Sequence, residues 1–404
     1  MNKNTKIAIV LIVVITFTTW FSISLAFLMV DNFGHTSLSK LFEKEDVSTE
    51  KIRKFENIQK LLEEYYYKEI SQDDLIEGAI EGMVNGLDDP YTVYFSSDDM
   101  KSFNEKASGS YGGIGVTINI DEEGLLTVVE PLEDSPAHMA GIISDDKIIM
   151  VNDTDVTSIK DEMLIINMIK GEQDTKVKIT VYRPSTGETL SFDVTRKIIR
   201  IKNIKSDVIE NDIGYIKIVT FDEDIAKEFN QKLDELLTVG IKGLIIDLRD
   251  NTGGSYPEVV SITDRLVPKG IIVYTEDKYG KKDYEYSDAE ELEVPLAILI
   301  NEYSASASEV LAGAVKDHEK GTLIGTKSFG KGLVQVLEEL GDGSGIKITV
   351  STYFTPSGKS IHGIGISPDI EVDLPEEYKN IPLSDVPREE DVQFKKAVEL
   401  LKNM

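Results

Sequence analysis

Residues 296–311 read LAILINEYSASASEVL, and this stretch sets the architecture expected of the chain. Residues 296–300 form a continuous apolar run of strand length, which is typical of a strand that is buried on both faces. A short turn follows, and a helix is predicted from residue 305 to about residue 316. A buried strand that leads directly into a helix indicates an α/β core.

The same alternation starts near residue 213, whereas the preceding segment has a different pattern. Residues 109–197 contain short β-type runs separated by turns, with one helix over residues 161–170. The elements predicted for the core are a strand at 215–221, a helix at 225–237, a strand at 243–248, β segments up to residue 368 and a terminal helix at 392–402.

Two amphipathic helices are predicted ahead of the β-rich segment, after a polar tether at residues 31–48. Apolar residues recur at helical spacing at Ile52, Phe55, Ile58, Leu61, Leu62 and Tyr65. A second helix is predicted from residue 72 to about residue 83. We expect these helices, with the terminal helix, to serve packing or a homodimer rather than chemistry.

Composition excludes several classes of function. The chain has 404 residues, enough for two or three domains, and its formal net charge is −29. This acidic balance argues against binding to nucleic acid or to anionic lipid. The chain has no cysteine, so disulfides, zinc–thiolate sites and a cysteine nucleophile are excluded.

An uncharged segment lies near the amino terminus. Residues 7–30 would span about 36 Å as a helix, which exceeds the bilayer core of about 30 Å. Lys3 and Lys6 precede this segment and acidic residues follow it, so the part of the chain after residue 30 is expected outside the cell. The alternative is a cleaved signal peptide, which would also export the chain.

The serines at the start of the predicted helix offer a nucleophile. Ser304, Ser306 and Ser308 alternate with alanines where a helix amino terminus presents free backbone N–H groups. Such groups can stabilise the oxyanion of an acyl-transfer reaction. Ordinary N-capping, for which serine is a favoured residue, explains the same pattern.

A serine nucleophile needs a base, and Lys331 is the candidate. None of the four histidines lies in a recognisable catalytic motif. Burial penalises a charged lysine and lowers its pKa, so a buried lysine can act as a base. Lys331 lies among apolar residues and between two glycines, although a solvated turn would also suit it.

Two segments together resemble the active-site signature of the carboxy-terminal processing peptidases, tail-specific serine proteases that use a Ser–Lys dyad. They are SASASE at residues 304–309 and FGKGLVQ at residues 329–335. The resemblance implies that Ser306 is the nucleophile, that Lys331, 25 positions later, is the general base, and that Gln335 orients the lysine. Since residues four apart on a straight strand are about 13 Å apart, local bending at Gly332 is expected.

A third segment resembles the oxyanion-hole sequence of the same family. Residues 247–254 read DLRDNTGG and end the predicted strand at 243–248. The resemblance implies that the amides of Gly254 and Ala307 are the oxyanion donors, with Gly253 as the alternative to Gly254. An ordinary strand-to-helix turn also explains these residue types.

The β-rich segment resembles a PDZ domain. DSPAHMAG at residues 134–141 is similar to a segment of bacterial PDZ domains, and Lys170 occupies a basic position tied to activation by a bound tail. The resemblance implies that a substrate carboxylate binds in the loop formed by Tyr111, Gly112, Gly113, Ile114, Gly115 and Val116. The following strand would then pair with the extended peptide.

The resemblance spans roughly residues 50–375 and implies an α+β multidomain protein. Its expected parts are a membrane anchor or signal at 1–30, a tether and helical domain at 31–108, a PDZ domain at 109–197, an α/β protease core of the crotonase/ClpP type at 198–375 and a helical, dimer-forming segment at 376–404. We expect a membrane-anchored serine endopeptidase that acts on protein substrates with free C-termini and needs no metal or cofactor.

Two other functions are compatible with parts of the sequence. A non-enzymatic PDZ scaffold would have no chemical need for the serine, the lysine and the glutamine together. Residues 328–331 fit the S-x-x-K pattern of penicillin-recognising enzymes, but the S-D-N and K-T-G elements are absent from the sequence.

Overall fold

The structure, a computed structural model, describes residues 49–121, 123–210, 212–379 and 381–404. The described residues divide into two units, with the boundary between Ala79 and Ile80. The anchor predicted at residues 7–30 and the tether predicted at 31–48 lie outside the described residues. Across the described ranges, no helix combines the length and the apolarity needed to cross a membrane.

Two helices begin the described chain, namely α1 (Thr49–Tyr65) and α2 (Gln72–Asn85). They confirm the helices predicted from the apolar spacing. No residue of α1 is buried, and a homodimer through its apolar stripe stays a prediction.

The next part of the chain forms mainly antiparallel β structure. Its elements are β1 (Val93–Phe95), α3 (Ser97–Ala107), β2 (Ser110–Gly113), β3 (Val116–Ile120), β4 (Leu126–Pro131), α4 (Pro136–Ala140), β5 (Lys147–Val151), β6 (Thr154–Asp155), α5 (Glu162–Ile169), β7 (Lys176–Arg183), β8 (Glu188–Thr195) and β9 (Lys197–Arg200). One sheet has the order β3-β4-β5-β7-β8, with β6 on β5, while β2 pairs with β9. Val177, Ile179 and Val181 alternate along β7 into the core, the period of two that a half-buried strand requires.

The remaining elements form the α/β core. They are β10 (Ile204–Ile209), β11 (Ile213–Ile218), α6 (Ile225–Val239), β12 (Gly243–Asp247), α7 (Tyr256–Asp264), β13 (Gly270–Asp277), β14 (Lys282–Ser287), β15 (Leu296–Ile300), α8 (Ala307–Asp317), β16 (Gly321–Gly325), β17 (Leu333–Glu339), β18 (Gly345–Phe354), β19 (Ile370–Glu371) and α9 (Val392–Lys402), with 3₁₀ turns at Glu376–Tyr378 and Leu383–Asp385.

The central sheet of this core has the strand order β10-β11-β12-β15-β16-β19. All neighbours from β11 onward are parallel, and β10 is antiparallel to β11. Every residue of β15 is buried because helices cover both faces. Ile298 packs in the cluster that includes α6, α7 and α8, whereas Leu299 packs in the cluster that includes α9. This two-sided cover explains the continuous apolar run in the sequence.

A second, antiparallel sheet joins distant parts of the chain. Its strands are β1, β13, β14, β17 and β18, and β18 pairs with three of the others. Val93 of β1 lies opposite Lys347 of β18. The β-rich body at residues 110–200 is therefore inserted between two parts of the core.

The terminal helix α9 has the predicted bounds, and its apolar face packs in the core of its own chain. Phe394, Ala397, Val398 and Leu401 are buried against the central sheet. The apolar face of α9 is thus covered by its own chain, and a role of the 376–404 segment in a homodimer stays a prediction.

Candidate active site

The three alternating serines have different environments at the carboxyl end of β15. The Ser304 hydroxyl donates to the Leu248 carbonyl at 2.8 Å, and the Ser308 hydroxyl donates to the Asn251 carbonyl at 2.9 Å. Both outer serines are completely buried. Within the described chain the Ser306 hydroxyl donates to no acceptor, and Ser306 lines a cavity of about 500 Å³. Ser306 is therefore the serine of this group that is available for chemistry.

Ser306 has an unusual backbone conformation, with φ 55° and ψ −114°. Such conformations cost about 1–3 kcal/mol and persist only where the surroundings enforce them. Helix α8 therefore begins at Ala307, two residues later than predicted. Gly253 packs so closely that a Cβ there would lie 2.8 Å from the Ser306 Cβ.

Lys331 lines the same cavity, where its ammonium is not engaged with Ser306. Its Nζ lies 4.9 Å from the centre of the Tyr91 ring, and no hydrogen bond joins it to Ser306 among the described residues. Burial lowers the pKa of Lys331, and the positive charge of Lys347 lowers it further. Asp89 and Glu309 act on this pKa in the opposite direction without cancelling the effect.

Gln335 also lines the cavity, from strand β17. The predicted bend is present as a β-bulge, but it lies between Val334 and Gln335 rather than at Gly332. The Gln335 Nε2 is buried and has no hydrogen-bond partner within the described part of the chain. An unpaired buried donor is costly, so this amide is poised to bind a group that enters or moves.

Two backbone amides face the cavity beside Ser306. Within the described residues the amides of Gly254 and Ala307 donate to no acceptor, whereas the Gly253 amide donates to the Asn251 side chain at 2.8 Å. Gly254 has φ 141°, and a Cβ there would lie 2.2 Å from the Phe221 carbonyl oxygen. This geometry requires glycine and leaves the Gly254 amide free, while the Gly253 amide is already used.

Glu309 connects the segments of the serine and the lysine. One carboxylate oxygen accepts from the amides of Ser306 and Lys331 at 2.9 and 2.8 Å. The other accepts from the Ser328 hydroxyl and the Gly330 amide at 2.6 and 2.7 Å. Since Glu309 is fully buried, these four bonds replace its lost hydration. The sequence analysis predicts no role for Glu309, although Ser306 and Glu309 match S-x-x-E, the capping-box pattern at the start of a helix.

Tyr353 forms a second connection between the same segments. Its hydroxyl lies 3.0 Å from the Ser306 carbonyl oxygen and is also hydrogen-bonded to the Lys331 carbonyl oxygen. Glu309 and Tyr353 thus bind the amides and the carbonyls, respectively, of two residues far apart in sequence. Tyr353 carries no sequence signal, because its position depends on strand pairing alone.

The DLR segment anchors the core rather than the cavity. Arg249 donates to both carboxylate oxygens of Asp247 and also pairs with Asp391 at 2.9 Å. Although burial alone would raise it, the pKa of Asp247 is held below its usual value by Arg249. This buried network connects the end of β12 to the start of α9.

The predicted peptide-binding loop lies beside a second cavity, of about 280 Å³, between β3 and α5. The carbonyls of Ile114 and Gly115 accept from the amides of Ala137 and Leu132, while their own amides donate to no acceptor in the described chain. Strand β3 pairs with β4 on one side only, so its other edge is open. The loop therefore presents free amides next to an unpaired strand edge.

The local sequence explains this loop. Gly115 has φ 75°, and a Cβ there would lie 2.5 Å from the Ser135 Cβ. Ser135 caps α4, whose first residue is Pro136, and its hydroxyl donates to the Gly115 carbonyl at 2.9 Å.

Lys170 lines the second cavity but its ammonium is already occupied. It pairs with Glu105 of α3 at 2.8 Å, and its Nζ lies 4.7 Å from the centre of the Tyr111 ring. The predicted sensor thus connects the peptide groove to a helix that also borders the active-site cavity.

An antiparallel body with an open strand edge and an available serine at the end of a parallel sheet are the features of the PDZ-containing serine peptidases. Residues 212–372 match the model of peptidase family S41, residues 103–182 match the PDZ domain, and residues 17–99 match the N-terminal domain of the activating protease CtpB.

Similar proteins include the carboxy-terminal processing proteases CtpA and CtpB of Bacillus subtilis (strain 168). Each is 36% identical over 82% of this chain, covering 72% of CtpA and 69% of CtpB. A solved photosystem II D1 C-terminal processing protease is 31% identical over 80% of this chain and 88% of its own, with a TM-score of 0.48. The chain belongs to peptidase family S41, as a carboxy-terminal processing serine protease with a PDZ domain. This confirms the resemblance found in the sequence.

Proposed function

We propose that the chain is an exported, membrane-anchored endopeptidase that uses Ser306 as nucleophile and Lys331 as general base. The observation that carries the proposal is the Ser306 hydroxyl, which donates to no acceptor among the described residues and shares one cavity with a half-buried lysine of lowered pKa. The anchor or signal rests on the apolar segment at residues 7–30.

In the first half of the reaction, neutral Lys331 accepts the Ser306 proton while the serine Oγ attacks the scissile carbonyl carbon. The amides of Gly254 and Ala307 stabilise the oxyanion. The C–N bond then breaks, and the leaving amine takes the proton from Lys331, which leaves an acyl-enzyme.

In the second half, Lys331 accepts a proton from water as the water oxygen attacks the ester carbonyl. The C–O bond to Ser306 breaks, and the serine oxygen regains the proton. For either half, the Lys331 ammonium group must leave the Tyr91 ring and approach Ser306. The unpaired Gln335 side chain is suited to hold the lysine there.

The PDZ groove would select the substrate. A C-terminal carboxylate would accept from the free amides of Ile114 and Gly115, and the substrate chain would pair with the open edge of β3. An apolar terminal side chain would contact Ile166 and Ile169, which line the groove. We further propose that a bound carboxylate competes with Glu105 for Lys170, which makes Lys170 a sensor.

The test uses the full chain in detergent and an unfolded protein with a free apolar C-terminus, with cleavage sites mapped by mass spectrometry. Ser306→Ala and Lys331→Ala are expected to abolish cleavage while remaining folded. Lys327→Ala, an exposed lysine on the same segment, serves as the matched control and should cleave normally. Cleavage by Ser306→Ala would refute the mechanism, and equal cleavage of a C-terminally amidated substrate would refute the role of the PDZ groove.

A further inference from the structure

Lys347 lies in the active-site cavity without a carboxylate partner. It is on β18, opposite Val93 and Leu337, and it lines the cavity together with Lys106 and Lys331. No ion pair to Lys347 occurs among the described residues. Among the described residues, no anionic group therefore balances the Lys347 charge.

The Lys347 ammonium group is held on an aromatic platform. Its Nζ lies 5.5 Å from the centre of the Phe95 ring and 5.8 Å from that of Phe103. Phe103 and Lys106 are three positions apart on α3 and line the same cavity. Lys106 and Lys347 thus line the cavity together with apolar side chains. Apolar surroundings lower the local dielectric constant and so strengthen electrostatic interactions there.

The charge of this cavity is opposite to that of the chain. Three lysines and one carboxylate, Asp222, are among the described residues that line it. The Asp222 Oδ2 accepts from the Asn203 amide at 2.8 Å, and its buried Oδ1 has no hydrogen-bond partner in the described chain. The whole chain, by contrast, has 72 acidic and 43 basic side chains. The position of Lys347 is unfavourable for its own charge, because burial lowers its pKa, and the Lys347 charge in turn lowers the pKa of Lys331.

We propose that Lys347 is a specificity-determining residue that binds a carboxylate of the substrate. The inference rests on the proposed function of the cavity as the cleavage site. A lysine donates short, charge-assisted hydrogen bonds to a carboxylate, which would supply the missing partner. The carboxylate can come from an Asp or Glu side chain or from the C-terminus of the substrate.

Lys347 and Lys331 line the same cavity from separate segments of the chain. Lys347 lies opposite Leu337, six positions after Lys331 along the chain. An extended peptide advances about 3.3 Å per residue, and both lysine side chains converge on one cavity. The recognised carboxylate is therefore expected within about four residues of the scissile bond.

The test is a set of fluorogenic peptides that differ by Glu or Gln at each of four positions on either side of the cleaved bond. Each peptide is made with a free and with an amidated C-terminus. The full chain is expected to cleave one carboxylate-bearing peptide with about tenfold higher kcat/KM than its amide counterpart. Lys347→Gln should reduce this ratio to near one, and Lys347→Arg should retain it.

Ratios within one variant cancel any change in the reactivity of Lys331. Lys101→Gln, on α3 but outside the cavity, removes the same charge and should leave the ratio unchanged. If the ratio follows the position of Glu, a side chain is recognised; if it follows the free C-terminus, the terminal carboxylate is recognised. A parent enzyme without either preference, or a folded Lys347→Gln variant that keeps it, would overturn the proposal. Failure of the Ser–Lys mechanism would be seen separately, as cleavage of all peptides by Ser306→Ala.

Discussion

Replacing Glu309 by glutamine tests whether one buried carboxylate maintains the catalytic geometry. The carboxylate accepts four hydrogen bonds, from the amides of Ser306, Gly330 and Lys331 and from the Ser328 hydroxyl. A glutamine has one acceptor oxygen, and its NH₂ group must face two of these four donors. The Ser328 hydroxyl can rotate and accept, but a backbone amide cannot.

The expected loss of stability follows from this count. In the better orientation the glutamine oxygen keeps Ser306 and Lys331, and the bond to the Gly330 amide is lost, at about 2 kcal/mol. The other three bonds change from charge-assisted to neutral, at about 1 kcal/mol each. We therefore expect the free energy of unfolding to fall by about 5 kcal/mol, a large part of the stability of an ordinary domain.

The assay combines denaturant unfolding with the pH dependence of cleavage. The Glu309 charge raises the pKa of Lys331, so its removal should shift the acid limb of the pH–rate profile to lower pH. The rate on the plateau should fall because Ser306 is no longer held in its strained conformation. Glu319→Gln, an exposed glutamate beyond the end of α8, should change neither quantity. An unfolding free energy within about 0.5 kcal/mol of the parent would refute the reasoning.

Three further changes test other parts of the site. Asp89→Asn removes a charge that raises the pKa of Lys331, so the acid limb of the pH–rate profile should move to lower pH; a move to higher pH would contradict this. Gly254→Ala would place a Cβ 2.2 Å from the Phe221 carbonyl oxygen and should lower kcat about 10²–10³-fold in steady-state cleavage assays, as loss of one oxyanion donor does. Arg249→Met leaves buried carboxylates unpaired and should lower the unfolding free energy by about 3–5 kcal/mol in denaturant titrations; an unchanged midpoint would show that the network is unimportant.

The sequence predicted those elements whose burial produces a clear pattern of apolar residues. Strand β15 and helix α9 have the predicted bounds, because a strand covered on both faces and an amphipathic helix leave clear patterns. The joining of β1 to β18 could not be predicted in this way. Strand β1 has three residues, too few to show a recognisable alternation of apolar and polar side chains, and its partner strand lies about 250 positions later in the chain.

The candidate site was predicted from motifs, and the structure adds the reason why those motifs lie together. Ser304, Ser306 and Ser308 alternate regularly in the sequence. In the structure the hydroxyls of Ser304 and Ser308 donate to backbone carbonyls, whereas the Ser306 hydroxyl donates to no acceptor among the described residues. Neither Glu309 nor Tyr353 was expected to matter. Their roles depend on donors that the fold brings from other segments.

The arrangement of the site separates positioning from activation. Glu309 and Tyr353 bind only backbone atoms of Ser306 and Lys331. They therefore fix the backbone positions of the two residues but not the rotamers of their side chains. The lysine side chain remains over Tyr91, and the Gln335 amide remains unpaired. A side-chain rotation of Lys331, without any change in the backbone, would therefore be enough to assemble the proposed dyad, whereas loss of Glu309 would impair its assembly in every rotamer.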